Sequence, residues 1–123
     1  MKFRYARHTN NLEKIVAFYT TILKLEILGE FKNHSEYDGV FLGHKNRDWH
    51  LEFTTSNEKA KHTFDEDDLL VFYALNQQEY DSIFVAISTN AIKIIEAKNP
   101  YWNENGIMFL DPDGFRIVLA KQF

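Results

Sequence analysis

The chain has 123 residues, 45% of them hydrophobic, with 11 Phe, 6 Tyr and 2 Trp, which suits one domain with a real core and excludes a disordered segment. A formal net charge of −4 argues against a nucleic-acid footprint, which gathers Lys and Arg on one face, but leaves room for a small ligand. The absence of cysteine excludes disulfides, thiolate metal sites and a cysteine nucleophile. With no signal peptide and no apolar run near the ~18 residues of a membrane helix, a cytoplasmic protein with no membrane partner is expected.

In chain order, residues 3–8 alternate as a short strand. Asn10 and Glu13 then form an Asn-x-x-Glu helix start, in which the Asn side chain accepts from an exposed backbone N–H and the Glu reaches back. The helix carries Leu12, Ile15, Val16, Tyr19, Ile22 and Leu23 on one face. Extended pieces follow at 25–31, 39–44 and 49–54, the last entered through the turn Asn46-Arg47-Asp48. Residues 55–68 are polar, with the acidic run Asp65-Glu66-Asp67-Asp68, and read as a solvated linker.

The second half repeats the first at an offset of 66 residues. Phe3-Arg4-Tyr5-Ala6 falls on Leu69-Leu70-Val71-Phe72, Asn10 and Glu13 on Asn76 and Glu79, and Trp49–Thr54 on Phe115–Ala120. A strand at 69–75, a helix with Tyr80, Ile83, Phe84 and Ile87, and extended pieces at 91–96, 106–110 and 115–120 complete the copy. Its last turn, Pro112-Asp113-Gly114, makes Asp111 and Asp113 turn residues. The unit is βαβββ used twice: module 1–54, linker 55–68, module 69–123.

Strand alternation assigns faces. Trp49, Leu51 and Phe53 should pack on a helix, leaving His50, Glu52 and Thr54 opposite; Arg4, Ala6 and His8 oppose Phe3, Tyr5 and Arg7. In the copy, Arg116, Val118 and Ala120 oppose Phe115, Ile117 and Leu119, and Leu70, Phe72 and Ala74 oppose Leu69, Val71 and Tyr73. Two such sheets with helices outside would curl around a cavity, where a small ligand would go, with Arg4, His50, Glu52 and Arg116 among apolar residues. Tyr101 and Trp102, in Asn99-Pro100-Tyr101-Trp102-Asn103, read either as an aromatic flap over that cavity or as cover for a sheet edge.

The stretches NNLEKIVAFYTTILKLEIL, WHLEFT and GIMFLDPDGFRIVL, with the repeat, resemble the vicinal oxygen chelate superfamily of glyoxalase I, bleomycin resistance proteins and extradiol dioxygenases. The resemblance implies an α+β fold, two βαβββ modules forming an incomplete curved β-barrel around a cavity with helices outside, in a homodimer. It also implies metal-ligand points on the first and last strand of each module, here Arg4, Glu52, Leu70 and Val118. Only Glu52 can bind a cation, so no metal and no cofactor is expected, and Arg4 stands where it can neutralise Glu52.

The leading expectation is metal-independent binding of a small molecule, with Arg4 and Arg116 pointing to a carboxylate or phosphate. The cavity set is Arg4, His8, His50, Glu52, Leu70, Phe72, Tyr101, Trp102, Arg116 and Val118. The alternative is an enzyme of lyase, isomerase or dioxygenase type. It would use Glu52 and His50 as acid and base, or as ligands of a relocated metal with His8 and His44. A third possibility is a cavity filled by Leu70, Phe72 and Val118 themselves.

Overall fold

Strand β1 (Phe3–His8) opens the chain in a computed structural model that describes residues 1–123. Helix α1 (Leu12–Thr21) follows, then β2 (Glu26–His34), β3 (Tyr37–Gly43) and β4 (Trp49–Thr55). These make one four-stranded sheet in the order β1-β4-β3-β2, with β1 and β4 parallel and the other neighbours antiparallel. They belong to the first of two compact units, Met1–His62; the second is Thr63–Phe123. No helix is long and apolar enough to cross a membrane.

The cap of α1 is Asn11, not Asn10: its Oδ1 accepts from Lys14 N at 3.0 Å. Asn10 is used elsewhere, accepting from Ala60 N at 2.7 Å and donating to Ala60 O at 3.4 Å, which ties down the polar stretch after β4. Ile15, Phe18 and Tyr19 bury the inner face of α1, and Tyr19 packs on Phe53 of β4 with ring centroids 4.9 Å apart. Leu51, Phe53, Val40 and Leu42 complete this side of the core, as the alternation of β3 and β4 requires. Arg7 is also on this side and buried, its guanidinium 5.0 Å from the Phe53 ring centroid.

Strands β2 and β3 run longer than the expected 25–31 and 39–44 because a tight hairpin joins them. Ser35 (φ 51°) and Glu36 (φ 71°) form its tip between the paired His34 and Tyr37. Two successive positive φ values are the geometry of a type I′ turn, usually signalled by Asn-Gly; with Ser-Glu there, the sequence hides the turn. Asn33, also at positive φ, donates its N–H to Asp38 Oδ1 at 2.8 Å.

The second unit holds β5 (Leu69–Ala74), α2 (Gln77–Thr89), α3 (Pro100–Asn105), β6 (Gly106–Leu110) and β7 (Arg116–Lys121), with a sheet ordered β5-β7-β6. Asn76 caps α2, accepting from Glu79 N at 2.9 Å, while Glu79 Oε1 accepts from Leu75 N at 2.9 Å. Helix α2 buries Tyr80, Ile83, Ala86 and Ile87, whereas Phe84, expected inside, is 40% exposed.

The strand expected at 91–96 reduces to one bridge, Ile95 to Met108. Ala91 at φ 54° ends α2, and Asn99-Pro100 starts α3, so few residues remain for an extended run. The backbone of Ala97 is taken by Asn103, whose Oδ1 accepts from Ala97 N at 2.8 Å and whose Nδ2 donates to Ala97 O at 2.9 Å. The turn before β7 is built on Asp111, whose Oδ1 accepts from Asp113 N at 2.9 Å and Phe115 N at 3.1 Å. Gly114, at φ 93°, takes the left-handed position there.

Candidate functional site

Register across the first sheet brings the polar residues into rows. Arg4 pairs with His50 and His50 with Gly43; Ala6 pairs with Glu52 and Glu52 with Phe41; His8 pairs with Thr54, Thr54 with Gly39 and Gly39 with Phe31. All lie on the side away from α1. Here Phe31, Phe41, His50 and Glu52 are half-buried and Ala6 is exposed.

Arg4 organises the centre of this face. Its Nε donates to His50 Nε2 at 3.0 Å, and its Nη1 donates to Glu52 Oε1 at 3.4 Å. A guanidinium carries only donors, so His50 accepts on Nε2 and holds its proton on Nδ1. Arg4 Cζ also lies 4.9 Å from the centroid of Phe41, which meets His50 edge-on at 5.7 Å and Phe31 at 5.8 Å. The guanidinium is thus held from two sides by acceptors and supported by a ring. The Arg4 side chain is nevertheless 50% exposed and that of Glu52 13%. An ion pair so open contributes about 0–1 kcal/mol, so it is not what holds the sheet together.

Phe31 reaches Phe41 because of Gly39. A Cβ at position 39 would sit inside the Phe31 ring, so only glycine lets that ring lie down on the strand. Neither Phe31 nor Phe41 was among the sequence candidates. Their signal was the alternation of Gly39, Phe41 and Gly43 on the face of His50 and Glu52.

His8 lies at the far end of the same face. Its Nε2 is 3.0 Å from Ser56 Oγ, and its ring meets Tyr37 edge-on at 6.4 Å. Ser56 also accepts from Glu58 N at 3.2 Å and so closes the turn after β4. His44 is not in this network; its Nδ1 lies 3.6 Å from Glu26 Oε2 near the sheet edge.

The second sheet treats its expected site residues differently. Leu70 pairs with Ile117, Phe72 with Leu119 and Ala74 with Lys121, while Leu69 pairs with Arg116 and Val71 with Val118. Leu70 and Phe72 therefore point to the side of α2, where Lys121 Nζ stands 4.5 Å from the Tyr80 ring centroid, and not to the side of Val118. The gapless offset of 66 slips by one residue between β5 and β7, and a slip of one reverses the face. The counterpart of Arg4 is Leu69. Arg116 and Val118 share the other face, where Val118 and Ala120 are fully buried against Ala97 and Met108, with Ile95 and Trp102 packed on them. Trp102 is thus core cover, while Tyr101, 55% exposed, touches it edge-on at 4.9 Å.

These residues do not fit the metal that the superfamily resemblance implies. With Leu69 replacing Leu70, the four ligand points are Arg4, Glu52, Leu69 and Val118, a set with one carboxylate and one fixed cation. No three His, Asp or Glu side chains come together in a way that could hold a metal ion.

The family profile of the YycE-like N-terminal domain matches residues 3–54, and that of the YycE-like C-terminal domain matches residues 67–121. The uncharacterized protein YycE of Bacillus subtilis is 40% identical over 124 residues, covering 98% of this chain and 87% of the relative. A crystal structure of a YycE protein of unknown function from Bacillus subtilis superposes with a TM-score of 0.87 at 39% identity, over 99% of this chain and 90% of that one. Glyoxalase I of Leishmania major gives 0.73 at 19% identity, over 96% and 84% of the two chains. A glyoxylase/bleomycin resistance protein/dioxygenase domain from Frankia sp. EAN1pec gives 0.74 at 14%, over 98% and 95%. The mixed α+β fold with two sheets is that of the glyoxalase/bleomycin resistance group, and the chain belongs to the YycE-like family within the vicinal oxygen chelate superfamily.

Proposed function

We propose that this protein binds a small organic molecule on the polar face of β1, β3 and β4 without the help of a metal ion. The observation that carries the proposal is Arg4. It occupies a metal-ligand point with a permanent charge, spans His50 and Glu52, and remains half exposed over an aromatic floor. Half-exposed charges over half-buried rings contribute little to folding, which supports a role in recognition.

Acid–base catalysis by Glu52 and His50 has less support. Arg4 donates to the lone pair of His50 Nε2 and to one oxygen of Glu52, so both groups are already engaged with a fixed cation rather than with each other or a metal.

The test combines calorimetric titration of tag-free protein with Ni, Zn, Mn and Fe and a thermal-shift screen of small molecules. Expected are no stoichiometric metal heat and ligands whose stabilisation disappears in Arg4→Ala. A ligand at a hundredfold excess over its Kd should stabilise by about 2.7 kcal/mol. Stoichiometric metal binding lost in His50→Ala or Glu52→Ala would overturn the proposal in favour of a metalloenzyme with relocated ligands.

A further inference from the structure

We infer that the ligand of this face is a flat, uncharged ring with an amide or lactam edge, a C=O beside an N–H, rather than an organic anion. The inference rests on the metal-free binding proposed above and specifies its chemistry.

Charge excludes the anion first. Arg4 contributes one positive charge and Glu52 one negative, and His50 turns its Nε2 acceptor to Arg4. Of their row neighbours, Ala6, Phe41 and Gly43 carry no charge, and Glu26, paired with Gly43 at the end of the Arg4 row, is acidic. Arg116, which weighed towards a carboxylate or phosphate in the sequence, lies on β7 of the second unit, paired with Leu69. An anion brought to Arg4 would either displace Glu52 or stand beside it, and both outcomes set like charges against each other.

Hydrogen-bonding capacity then selects the lactam. Arg4 spends one N–H on His50 and one on Glu52, which leaves both N–H groups of Nη2 and one of Nη1 for a ligand. Glu52 Oε1 meets Arg4, and Oε2 keeps its full accepting capacity. Donor and acceptor therefore stand side by side on a partly desolvated surface. A ligand C=O can accept from Arg4 while the adjacent N–H donates to Glu52, so both partners are satisfied and the ion pair is preserved.

The floor fits the same shape. Phe41 lies under Arg4, and Phe31 extends that surface with its ring laid flat over Gly39. Exposed Ala6, in the row of Glu52 and Phe41, adds no bulk that would lift a ring from the floor. A ring bonded at the guanidinium edge continues across these aromatics.

The experiment is a titration of the isotope-labelled protein, followed by amide NMR and calorimetry, with three probes of similar size. Carbostyril is a neutral lactam, N-methylcarbostyril lacks its N–H, and naphthoate is an anion. Carbostyril should shift the amides of Arg4, Ala6, His50 and Glu52, and its N-methyl analogue should bind about tenfold or more weakly, the loss of a hydrogen bond to a charged group. Glu52→Gln should weaken carbostyril and strengthen naphthoate, because it frees the guanidinium from its internal anion. Should Glu52→Gln fail to fold, Arg4→Lys, which keeps the charge and loses the fork, should also weaken carbostyril. Tight naphthoate binding to the unaltered protein, not improved by Glu52→Gln, would overturn the lactam inference and leave metal-free binding standing. If no probe shifts the face, the inference falls; the proposed function falls with it only if the screen also yields no ligand that depends on Arg4.

Discussion

Gly39→Ala tests whether the aromatic floor depends on one missing Cβ. The new methyl would coincide with the Phe31 ring, which must rotate away from Phe41, now 5.8 Å distant. Overpacking of this kind costs about 1–3 kcal/mol. At this chain length that corresponds to a fall in Tm of roughly 3–15 °C, using scaling intermediate between shorter and longer domains. Phe31→Ala alone should cost roughly 1.5–2.5 kcal/mol, half the value for a fully buried ring, because Phe31 is only half-buried. The double variant decides the matter. With the ring gone the methyl has room, so Gly39→Ala/Phe31→Ala should be no less stable than Phe31→Ala, a coupling of about 1–3 kcal/mol between the sites. Thermal and urea unfolding of the four proteins measures it. Strictly additive losses, or a harmless Gly39→Ala, would refute the claim that glycine is present to seat Phe31.

Ala91 ends α2 at φ 54°, with Ile92 N donating to Ile87 O at 3.0 Å. Ala91→Gly should stabilise by about 0.5–1 kcal/mol, the relieved left-handed strain less the added entropy of the unfolded chain, and a lower urea midpoint would contradict it. Ser35→Asn with Glu36→Gly supplies the residues a type I′ turn prefers; a gain of about 1–2 kcal/mol is expected, against no change if the hairpin tip relaxes freely. Burial, and secondarily the charge of Asp81, raise the Tyr80 hydroxyl above its ordinary value of 10.0. A raised value favours the protonated folded state, so this stability is complete below pH 10 and is lost as pH climbs towards the folded value. Tyr80→Phe should therefore flatten the alkaline fall in urea midpoint, and an unchanged slope would count against it.

What the sequence disclosed, and what it hid, follows from the range of each signal. Strands β1 and β4 and the inner face of α1 were legible because alternation and helical period act on neighbouring residues. The cap was misplaced by one because Asn10 and Asn11 are adjacent and only Asn10 stands three before Glu13; its attachment to Ala60 is a long-range contact with no local trace. The strand at 91–96 failed for a similar reason, since Asn103 takes the backbone of Ala97 from six residues away. On the site, Arg4, His50 and Glu52 were found by parity within two strands. Phe31 and Phe41 were missed because their faces depend on a hairpin that the residues Ser35-Glu36 do not advertise.

What each half of the repeat packs on its helix-free face separates the two sheets more than the one-residue slip does. In the first sheet the face away from the helix carries Arg4, His50 and Glu52, all reached by solvent. In the second, the corresponding face is closed by its own chain: Ala97 and Met108 bury Val118 and Ala120, and Trp102 packs over them. A donor at position 118 would therefore not create a metal point; it would bury a carboxylate beneath apolar atoms. Val118→Glu should cost about 3–5 kcal/mol with no gain in affinity for Zn or Mn, because its carboxylate would replace a side chain packed among Ala97, Met108 and Trp102. Ala6→Glu, on the exposed row of the first sheet, should change stability by no more than about 0.5 kcal/mol. If Val118→Glu instead folded normally and bound a divalent cation, the covering segment would be a movable flap rather than core, and the second face would have to be counted as a binding surface alongside the first.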